Sequence, residues 1–211
     1  MPTANMTVAG PRLFRTYQVP KNQSFDCTIW EAARATTATP TFFKGIEIGG
    51  PGWKERFIDG TLSGNNPIRQ VFEEAELIFP TGRVVCAISI GTGQAQTITI
   101  PKPDFFQRIL PSDVVNAVVQ IATHCEHTAE ETERRFKSSP NVYFRLNVEQ
   151  GMQNITLAQW DRLGEVATHM NQYLLKVEVD QKVGSIVRAI LDRHGVITTT
   201  QLSMLEQRTA S

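Results

Sequence analysis

The chain has 211 residues, with 21 Lys and Arg against 21 Asp and Glu, so its formal charge is zero. This balance argues against a protein whose main partner is nucleic acid or anionic lipid, because such surfaces carry a basic excess. Hydrophobic residues make up 41% and charged residues 20%, which excludes disordered and collagen-like classes, and the longest apolar run is too short to span a membrane.

The N-terminal part of the sequence predicts one helix. It does not predict a cleaved signal peptide. No basic region followed by an apolar core is present at the start of the chain. Residues 29–36 place apolar side chains at helical spacing, and Pro40 ends that helix. Asp26 or Thr28 is the candidate N-cap. The three cysteines are too few and too scattered for a disulfide framework, so composition predicts a cytoplasmic globular protein.

A strand, a helix and a second strand follow with short connections. Residues 55–59 predict a strand that stops at Gly60, and Asn66 with Pro67 predicts the start of a helix. Residues 83–90 form a nearly unbroken apolar run, typical of a strand covered on both faces. Because this order implies a parallel sheet in an α/β domain, we expect the loops after both strands at its carboxyl edge, where such sheets place their sites.

Beyond residue 110 the sequence becomes mostly helical. A helix starting at Ser112, a strand near 142–146, a helix at 157–175 and a last helix at 183–193 closed by Gly195 are predicted. The chain after Ile197 is polar and is expected to fray. The expected organisation is an α/β part at 1–110, a helical continuation with one further strand at 111–197, and a polar tail at 198–211.

Asp59 is the leading candidate for chemistry. A carboxylate at the end of a buried strand, followed by Gly60, faces a cleft while the sheet holds it in place. Such a group can act as a general base, because proton abstraction needs a fixed carboxylate within hydrogen-bond reach of its target. The alternative is a turn aspartate that bonds its own backbone.

Two glycine-rich loops are weaker candidates. Gly91–Gly93 suggests a phosphate loop, but it lacks the third glycine or the Lys-Ser/Thr of a nucleotide fingerprint, which favours a tight turn. The backbone amides of Gly49–Gly52 could stabilise an oxyanion, but no strand clearly leads into this segment. We therefore interpret it as a loop.

Other polar and aromatic residues have simpler interpretations. His124, Glu126 and His127 resemble metal ligands, but the spacing is not that of a zincin motif and a solvated helix face is favoured. Cys86 is interpreted as a core residue. The tryptophans are interpreted as packing residues rather than a cofactor site: Trp30, Trp53 and Trp160. No metal or cofactor is predicted.

The nucleophile elbow G-x-S-x-G does not occur in the sequence. Ser63 is the only serine close to Asp59 along the chain. It lies in a loop with no helix N-terminus behind its amide, which makes it a poor nucleophile.

Five motifs, in their order and spacing, resemble patatin-like phospholipases. They are Ile29–Thr36, Pro40–Phe43, Phe57–Gly60, Asn65–Pro67 and Ser89–Gly93. The resemblance covers most of residues 10–175, and its later part is similar to fungal members. It implies a three-layer α/β/α fold with a largely parallel central sheet and a helical C-terminal part.

The resemblance also implies an activity, which is acyl-ester hydrolysis of phospholipids and other lipids by a Ser–Asp dyad. Asp59, in the motif Asp59-Gly60-Thr61, matches the dyad aspartate and would accept the serine proton directly. Thr61 departs from the Gly or Ala of the family, and its β-branch stiffens the loop. The implied partners are a lipid or phospholipid ester and a transiently contacted membrane surface, with no nucleic acid and no cofactor.

The oxyanion loop and the elbow of the family precede the region that this sequence resembles. We therefore expect the C-terminal part of a patatin domain, with the N-terminal strands missing. Because a carboxylate alone cannot form an acyl-enzyme, no serine-dependent turnover is expected from this chain. The rival hypothesis is a non-catalytic remnant that binds lipid or a protein, and a third is that the protein extends upstream of Met1.

Overall fold

The computed structural model describes residues 2–5, 11–19, 26–39, 43–60, 66–93, 125–153, 155 and 159–207. It divides into two compact units. The first contains Met1–Pro67 and Lys102–Cys125, and the second contains Ile68–Pro101 and Glu126–Ser211. The expected boundary at residue 110 and the helix starting at Ser112 lie outside the described residues, so both stay predictions.

In its described residues, the first unit is a four-stranded antiparallel sheet with one helix. The strands are β1 (Pro2–Asn5), β2 (Pro11–Leu13), β3 (Ile46–Ile48) and β4 (Glu55–Asp59), in the order β2-β1-β4-β3. Helix α1 (Ile29–Thr36) packs on this sheet over a core that contains Phe14, Ala35, Ile48 and Phe57. The unit is thus held by apolar contacts between α1 and the inner face of β3 and β4.

The start of α1 confirms one of the two predicted caps. The Thr28 hydroxyl accepts a hydrogen bond from the Glu31 N–H at 3.4 Å, and the Glu31 carboxylate accepts one from the Thr28 N–H at 2.8 Å. This reciprocal pair is a capping box, which satisfies two amides that the first helical turn leaves without partners. Thr28, and not Asp26, is therefore the N-cap.

The prediction that β4 belongs to a parallel sheet is wrong. Both of its neighbours, β1 and β3, run antiparallel to it. The reason is the short connection between β3 and β4, which allows a hairpin but not the crossover that a parallel pair needs. Gly49–Gly52 lies in this hairpin loop, and Gly49 and Gly52 have φ angles of 143° and 85° that favour glycine.

The second unit, as far as its residues are described, mixes helices with two small sheets. Its elements are α2 (Ile68–Ile78), β5 (Arg83–Val84), β6 (Ala87–Ile90), α3 (125–136), β7 (Tyr143–Leu146), α4 (Leu163–Leu174), α5 (Val177–Asp192), β8 (Ile197–Thr198) and α6 (Thr199–Gln207). A 3₁₀ turn, Trp160–Arg162, precedes α4. β6 and β7 pair in parallel, and β5 and β8 pair antiparallel. The core contains Ile68, Phe72, Phe136, Val142, Ile197 and Leu202.

The apolar run at 83–90 differs from its prediction. It forms two strands, β5 and β6, which pair with different partners. In β6 the buried residue is Ser89, while Ile88 and Ile90 are 37% and 76% exposed. The prediction of a strand covered on both faces is therefore wrong, because alternate residues of this strand point to a face that is open in the part of the chain described.

The C-terminal region is more ordered than its composition indicates. The tail expected to fray forms β8 and α6, and Leu202 in α6 is only 2% exposed. Helix α5 ends with Arg193 in the left-handed conformation (φ 52°), so the prediction that Gly195 closes this helix is wrong. Gly195 instead lies close to Arg83, where an added Cβ would approach the Arg83 Cβ to 2.3 Å.

The architecture is a mixture of helices and strands compatible with the α/β class. The only parallel pair in the described residues is β6–β7, and the three-layer arrangement stays a prediction. Among the described residues, no helix is long and apolar enough to cross a membrane.

Candidate functional site

Asp59 is the last residue of β4, and only 8% of its surface is exposed. Alternation along the strand buries Phe57 and Asp59 on the same face, so the strand places this carboxylate at the edge of the apolar core. On the β1 side, Asp59 lies opposite Thr3 in the antiparallel register. The sheet therefore fixes the backbone of the candidate residue on the β1 side, while the pairing with β3 ends at Phe57.

The segment that follows α1 holds Asp59 in two ways. The Asp59 N–H donates to the Ala38 carbonyl at 3.1 Å, and the Thr39 hydroxyl donates to the Asp59 Oδ2 at 2.6 Å. Ala38 itself is completely buried. A hydroxyl that donates to a carboxylate oxygen fixes the orientation of that carboxylate. Thr39 is thus a positioning residue that the sequence analysis did not identify.

The neighbours of Asp59 in the predicted motif are described in part. Gly60 is buried beside Asp59 and follows the strand as a turn residue. Thr61 and Ser63 lie outside the described residues. The structure therefore brings together Asp59, Gly60 and Thr39, and the assignment of a catalytic role to Asp59 stays a prediction.

A second polar cluster surrounds the carboxyl ends of β6 and β7. The Arg145 guanidinium donates to the Ser89 hydroxyl at 2.9 Å, and the side-chain amide of Asn147 donates to the Glu126 carboxylate at 3.0 Å. Arg145 also pairs with Glu126 at 3.5 Å. Arg145 and Asn147 are each 9% exposed, so the cluster joins β6, β7 and α3 through buried polar contacts.

Contacts with this cluster account for the two glycines of the loop Gly91–Gly93, and no bound phosphate is needed to explain them. The Gly93 N–H donates to the Asn147 Oδ1 at 2.8 Å, so this amide already has an acceptor within the protein. A Cβ at Gly91 would lie 2.3 Å from the same oxygen, and Gly93 has a φ of 107°. Both glycines are therefore required for close approach and turning, as the tight-turn interpretation predicts.

The remaining candidates do not form a site. Among the described residues, no group of three or more His, Cys, Asp or Glu side chains could hold a metal ion, and His124 lies outside them. The prediction that the tryptophans are packing residues is wrong, because Trp30, Trp53 and Trp160 are 64%, 61% and 79% exposed. Cys86 is half-buried, and burial raises the pKa of its thiol.

A cavity of about 280 Å³ lies in the second unit, between α4 and the loop after β7. It is lined by Glu149, Gly151, His169, Tyr173 and Lys176, among others. The Lys176 ammonium pairs with the Glu149 carboxylate at 3.1 Å. Because its cation and its carboxylate neutralise each other, the cavity does not favour a charged ligand of either sign.

Comparison with known families finds one similarity, in the N-terminal part of the chain. Residues 1–72 match the sequence model described as patatin-like phospholipase. In this region the chain is similar to patatin-like phospholipases. The matched region contains α1, the Ala38–Thr39 segment and the whole of β4, so the contacts made by Asp59 are part of the patatin-like segment.

Several relatives extend the match beyond this region. Phospholipase A I of Arabidopsis thaliana is 28% identical over 120 residues, which is 56% of this chain and 8% of that protein. The 85/88 kDa calcium-independent phospholipase A2 of Rattus norvegicus is 26% identical over 153 residues, 63% of this chain and 18% of that protein. Calcium-independent phospholipase A2-gamma of the same species is 32% identical over 69 residues, 33% of this chain and 8% of that protein. The chain thus spans less than a fifth of the length of these relatives.

Proposed function

We propose that this chain supplies the acidic member of a patatin-type Ser–Asp dyad in an enzyme that hydrolyses lipid acyl esters. The observation that carries the proposal is the placement of Asp59, a buried carboxylate at the end of β4 that is oriented by Thr39. The patatin-like match over residues 1–72 and the phospholipase relatives support the lipid class of the substrate.

In the proposed chemistry, the role of Asp59 is proton transfer. The serine oxygen attacks the ester carbonyl while its proton passes to the Asp59 carboxylate, and collapse of the adduct releases the alcohol, which takes that proton. Water then attacks the acyl-enzyme while Asp59 accepts its proton, and collapse of this adduct releases the carboxylic acid and returns the proton to the serine oxygen. Thr39 holds the Asp59 carboxylate, and the Ala38 carbonyl holds the Asp59 backbone N–H. The carboxylate is therefore ready for this step, because its orientation is fixed before the substrate binds.

One missing motif determines the activity that we expect when this chain is assayed alone. The 211 residues contain no G-x-S-x-G. We therefore expect no release of p-nitrophenol from a medium-chain ester and no labelling by a fluorophosphonate probe. Robust turnover that is lost in Asp59→Asn would overturn the expected inactivity of this chain.

A fusion tests the dyad role directly. Placing the chain after a patatin-like segment that carries the glycine-rich oxyanion loop and the elbow should produce ester hydrolysis. In that fusion Asp59→Asn should lower kcat by a factor of about 10²–10⁴, because a general base is removed. Glu47→Gln, at an exposed position of β3 in the same sheet, is the matched control and should keep full activity. An Asp59→Asn fusion as active as the control would refute the proposal.

The proposed substrate is a lipid or phospholipid ester, met at a membrane surface that the protein contacts transiently. A cytoplasmic location is proposed with it, on the basis of the scattered cysteines. Fractionation of cells that produce the tagged chain tests this location.

A second function, non-catalytic binding of lipid or of a protein, is favoured by one observation. Large apolar side chains are exposed in both units, including Trp30 and Trp53 in the first and Ile90 and Trp160 in the second. Exposed apolar surface of this kind promotes association. Size-exclusion chromatography with light scattering tests this alternative, and a well-folded monomer that binds no lipid vesicles would count against it.

A further inference from the structure

The cavity between α4 and the loop after β7 has the size of a small ligand. Its volume is about 280 Å³, and a water molecule occupies about 30 Å³ in the liquid, so roughly nine waters or one small organic molecule fit inside. His169, Gln172 and Tyr173 line it from α4, and Glu149 and Gly151 line it from the loop. Both walls belong to the second unit, whose packing fixes the distance between them.

The wall on the loop is held in shape before any ligand binds. The Gln153 side chain donates to the Glu149 carbonyl at 2.7 Å and accepts from the Gly151 N–H at 2.6 Å, which closes the loop on itself. Gly151 has a φ of 94°, and an added Cβ would overlap the His169 imidazole. The glycine therefore lets the loop backbone lie directly against that ring. A wall fixed in this way loses little conformational entropy when a ligand binds.

The polar groups that line the cavity include both donors and acceptors. The Lys176 ammonium donates to the Glu149 carboxylate at 3.1 Å, and the two side chains are 40% and 54% exposed. Because an ammonium has three protons and a carboxylate accepts several bonds, each group can bind a further partner while the pair stays formed. Gln172 is exposed and adds an amide that both donates and accepts. The cavity thus offers both kinds of hydrogen bond to one ligand.

The charges around the cavity favour a ligand without charge. A net anion or cation would be attracted by one member of the Lys176–Glu149 pair and repelled by the other. His169 lies 3.8 Å from the Glu165 carboxylate, so a protonated imidazole has its own counterion. A zwitterion would have to separate Lys176 from Glu149 before it could use both charges. A hydroxyl, in contrast, accepts from the ammonium and donates to the carboxylate without separating them.

Tyr173 gives the cavity an apolar surface. Its side chain is 8% exposed, and its hydroxyl already accepts a hydrogen bond from the Asn147 N–H at 3.2 Å. What the tyrosine adds to the lining is therefore mainly its ring, against which C–H groups pack favourably.

We propose that this cavity binds a neutral polyhydroxylated molecule of about monosaccharide size. Its hydroxyls bridge the ammonium of Lys176 and the carboxylate of Glu149, its C–H groups pack on Tyr173, and Gln172 binds a further hydroxyl. The proposal concerns residues of the second unit only, so it does not depend on the proposed role of Asp59.

Saturation-transfer NMR on the full chain tests the site with D-glucose, D-galactose, D-mannose and myo-inositol as probes. At least one of them should receive magnetisation from the protein, with a Kd in the millimolar range that suits so small a ligand. Glu149→Gln/Lys176→Met removes both charges, leaves the net charge unchanged and should weaken binding at least about tenfold. Gln172→Leu, at an exposed position, should weaken it about two- to tenfold.

Matched controls alter the same chemistry away from the cavity. Glu130→Gln/Arg134→Met removes an exposed ion pair of α3, and Gln181→Leu replaces an exposed glutamine of α5. Both should bind the probes like the wild type, and circular dichroism checks that every variant is folded.

Three outcomes would overturn the proposal. The first is no transfer to any of the four probes, and the second is an equal loss of binding in the cavity variants and their controls. The third is tighter binding of glycine or inorganic phosphate than of every polyol, which would assign the cavity to a zwitterion or an anion. Asp59→Asn should bind the probes like the wild type, so this site and the dyad role succeed or fail separately.

Discussion

Replacing Thr39 with valine removes the hydroxyl that donates to Asp59 and keeps the shape of the side chain. The lost bond joins Oγ1 to Oδ2 at 2.6 Å, and Asp59 is 8% exposed, so water replaces the donor poorly. A hydrogen bond to a charged group contributes about 1.5–3 kcal/mol, so we expect the free energy of unfolding to fall by about 2 kcal/mol. With a urea m-value of about 2–3 kcal/mol/M, the unfolding midpoint should fall by roughly 0.7–1 M.

Tryptophan fluorescence measures this change in the first unit alone. Trp30 and Trp53 lie in that unit, so the titration is done in a Trp160→Phe background. Thr37→Val is the matched control, because the Thr37 hydroxyl is exposed and donates to the Ala33 carbonyl, and it should change stability by less than about 0.5 kcal/mol.

Thr39→Ser keeps the donor and should recover most of the loss. If Thr39→Val is no less stable than Thr37→Val, or if Thr39→Ser is as unstable as Thr39→Val, the hydroxyl does not hold the carboxylate and the reasoning is refuted. A reduced effect of Thr39→Val in an Asp59→Ala background would show that the two side chains are energetically coupled.

Three further predictions concern single sites. Thr28→Ala removes the N-cap of α1 and should cost about 1 kcal/mol in urea unfolding. The Thr28 N–H and hydroxyl lower the pKa of Glu31, so this cap should support α1 fully above about pH 5 and lose its effect as the pH falls below about 4, in a circular dichroism titration that Glu31→Gln flattens. Burial raises the pKa of Cys86, so iodoacetamide at pH 8 should modify it more slowly than a free thiol peptide in peptide mapping, and equal rates would contradict this. Gly49→Ala, with φ at 143° and an added Cβ 2.3 Å from the Trp53 carbonyl oxygen, should cost more than about 1 kcal/mol in thermal unfolding.

Local signals predicted the positions of several elements. The spacing in residues 29–36 and the candidate cap Thr28 located α1, and the short run 55–59 that stops at Gly60 located β4. The strand near 142–146 was also found at β7. These features depend on residues close together in the chain, so their periodicity and capping chemistry are visible in the sequence.

The pairing of the strands could not be derived in the same way. The sequence gives no direct sign that β4 pairs with β1 and β3, because β3 is only three residues long and too short to show a pattern. The role of Thr39 was missed for a similar reason. Its position before Pro40 indicates extended backbone, but its contact with Asp59, twenty residues later, depends on the tertiary fold.

The pairing of β5 with β8 has a consequence for how the protein is made. Arg83 binds the Gly195 carbonyl through two nitrogens, 112 residues further along the chain, and the Thr199 hydroxyl donates to the Phe79 carbonyl at 2.6 Å. A ribosome that adds about 5–20 residues per second needs roughly 6–22 s to synthesise these 112 residues. Until then, α2 and β5 lack these partners. During that time Phe72 and Val84 lack Ile197 and Leu202, which complete their core. Chaperones that bind nascent apolar segments therefore have a defined interval in which to act on this unit.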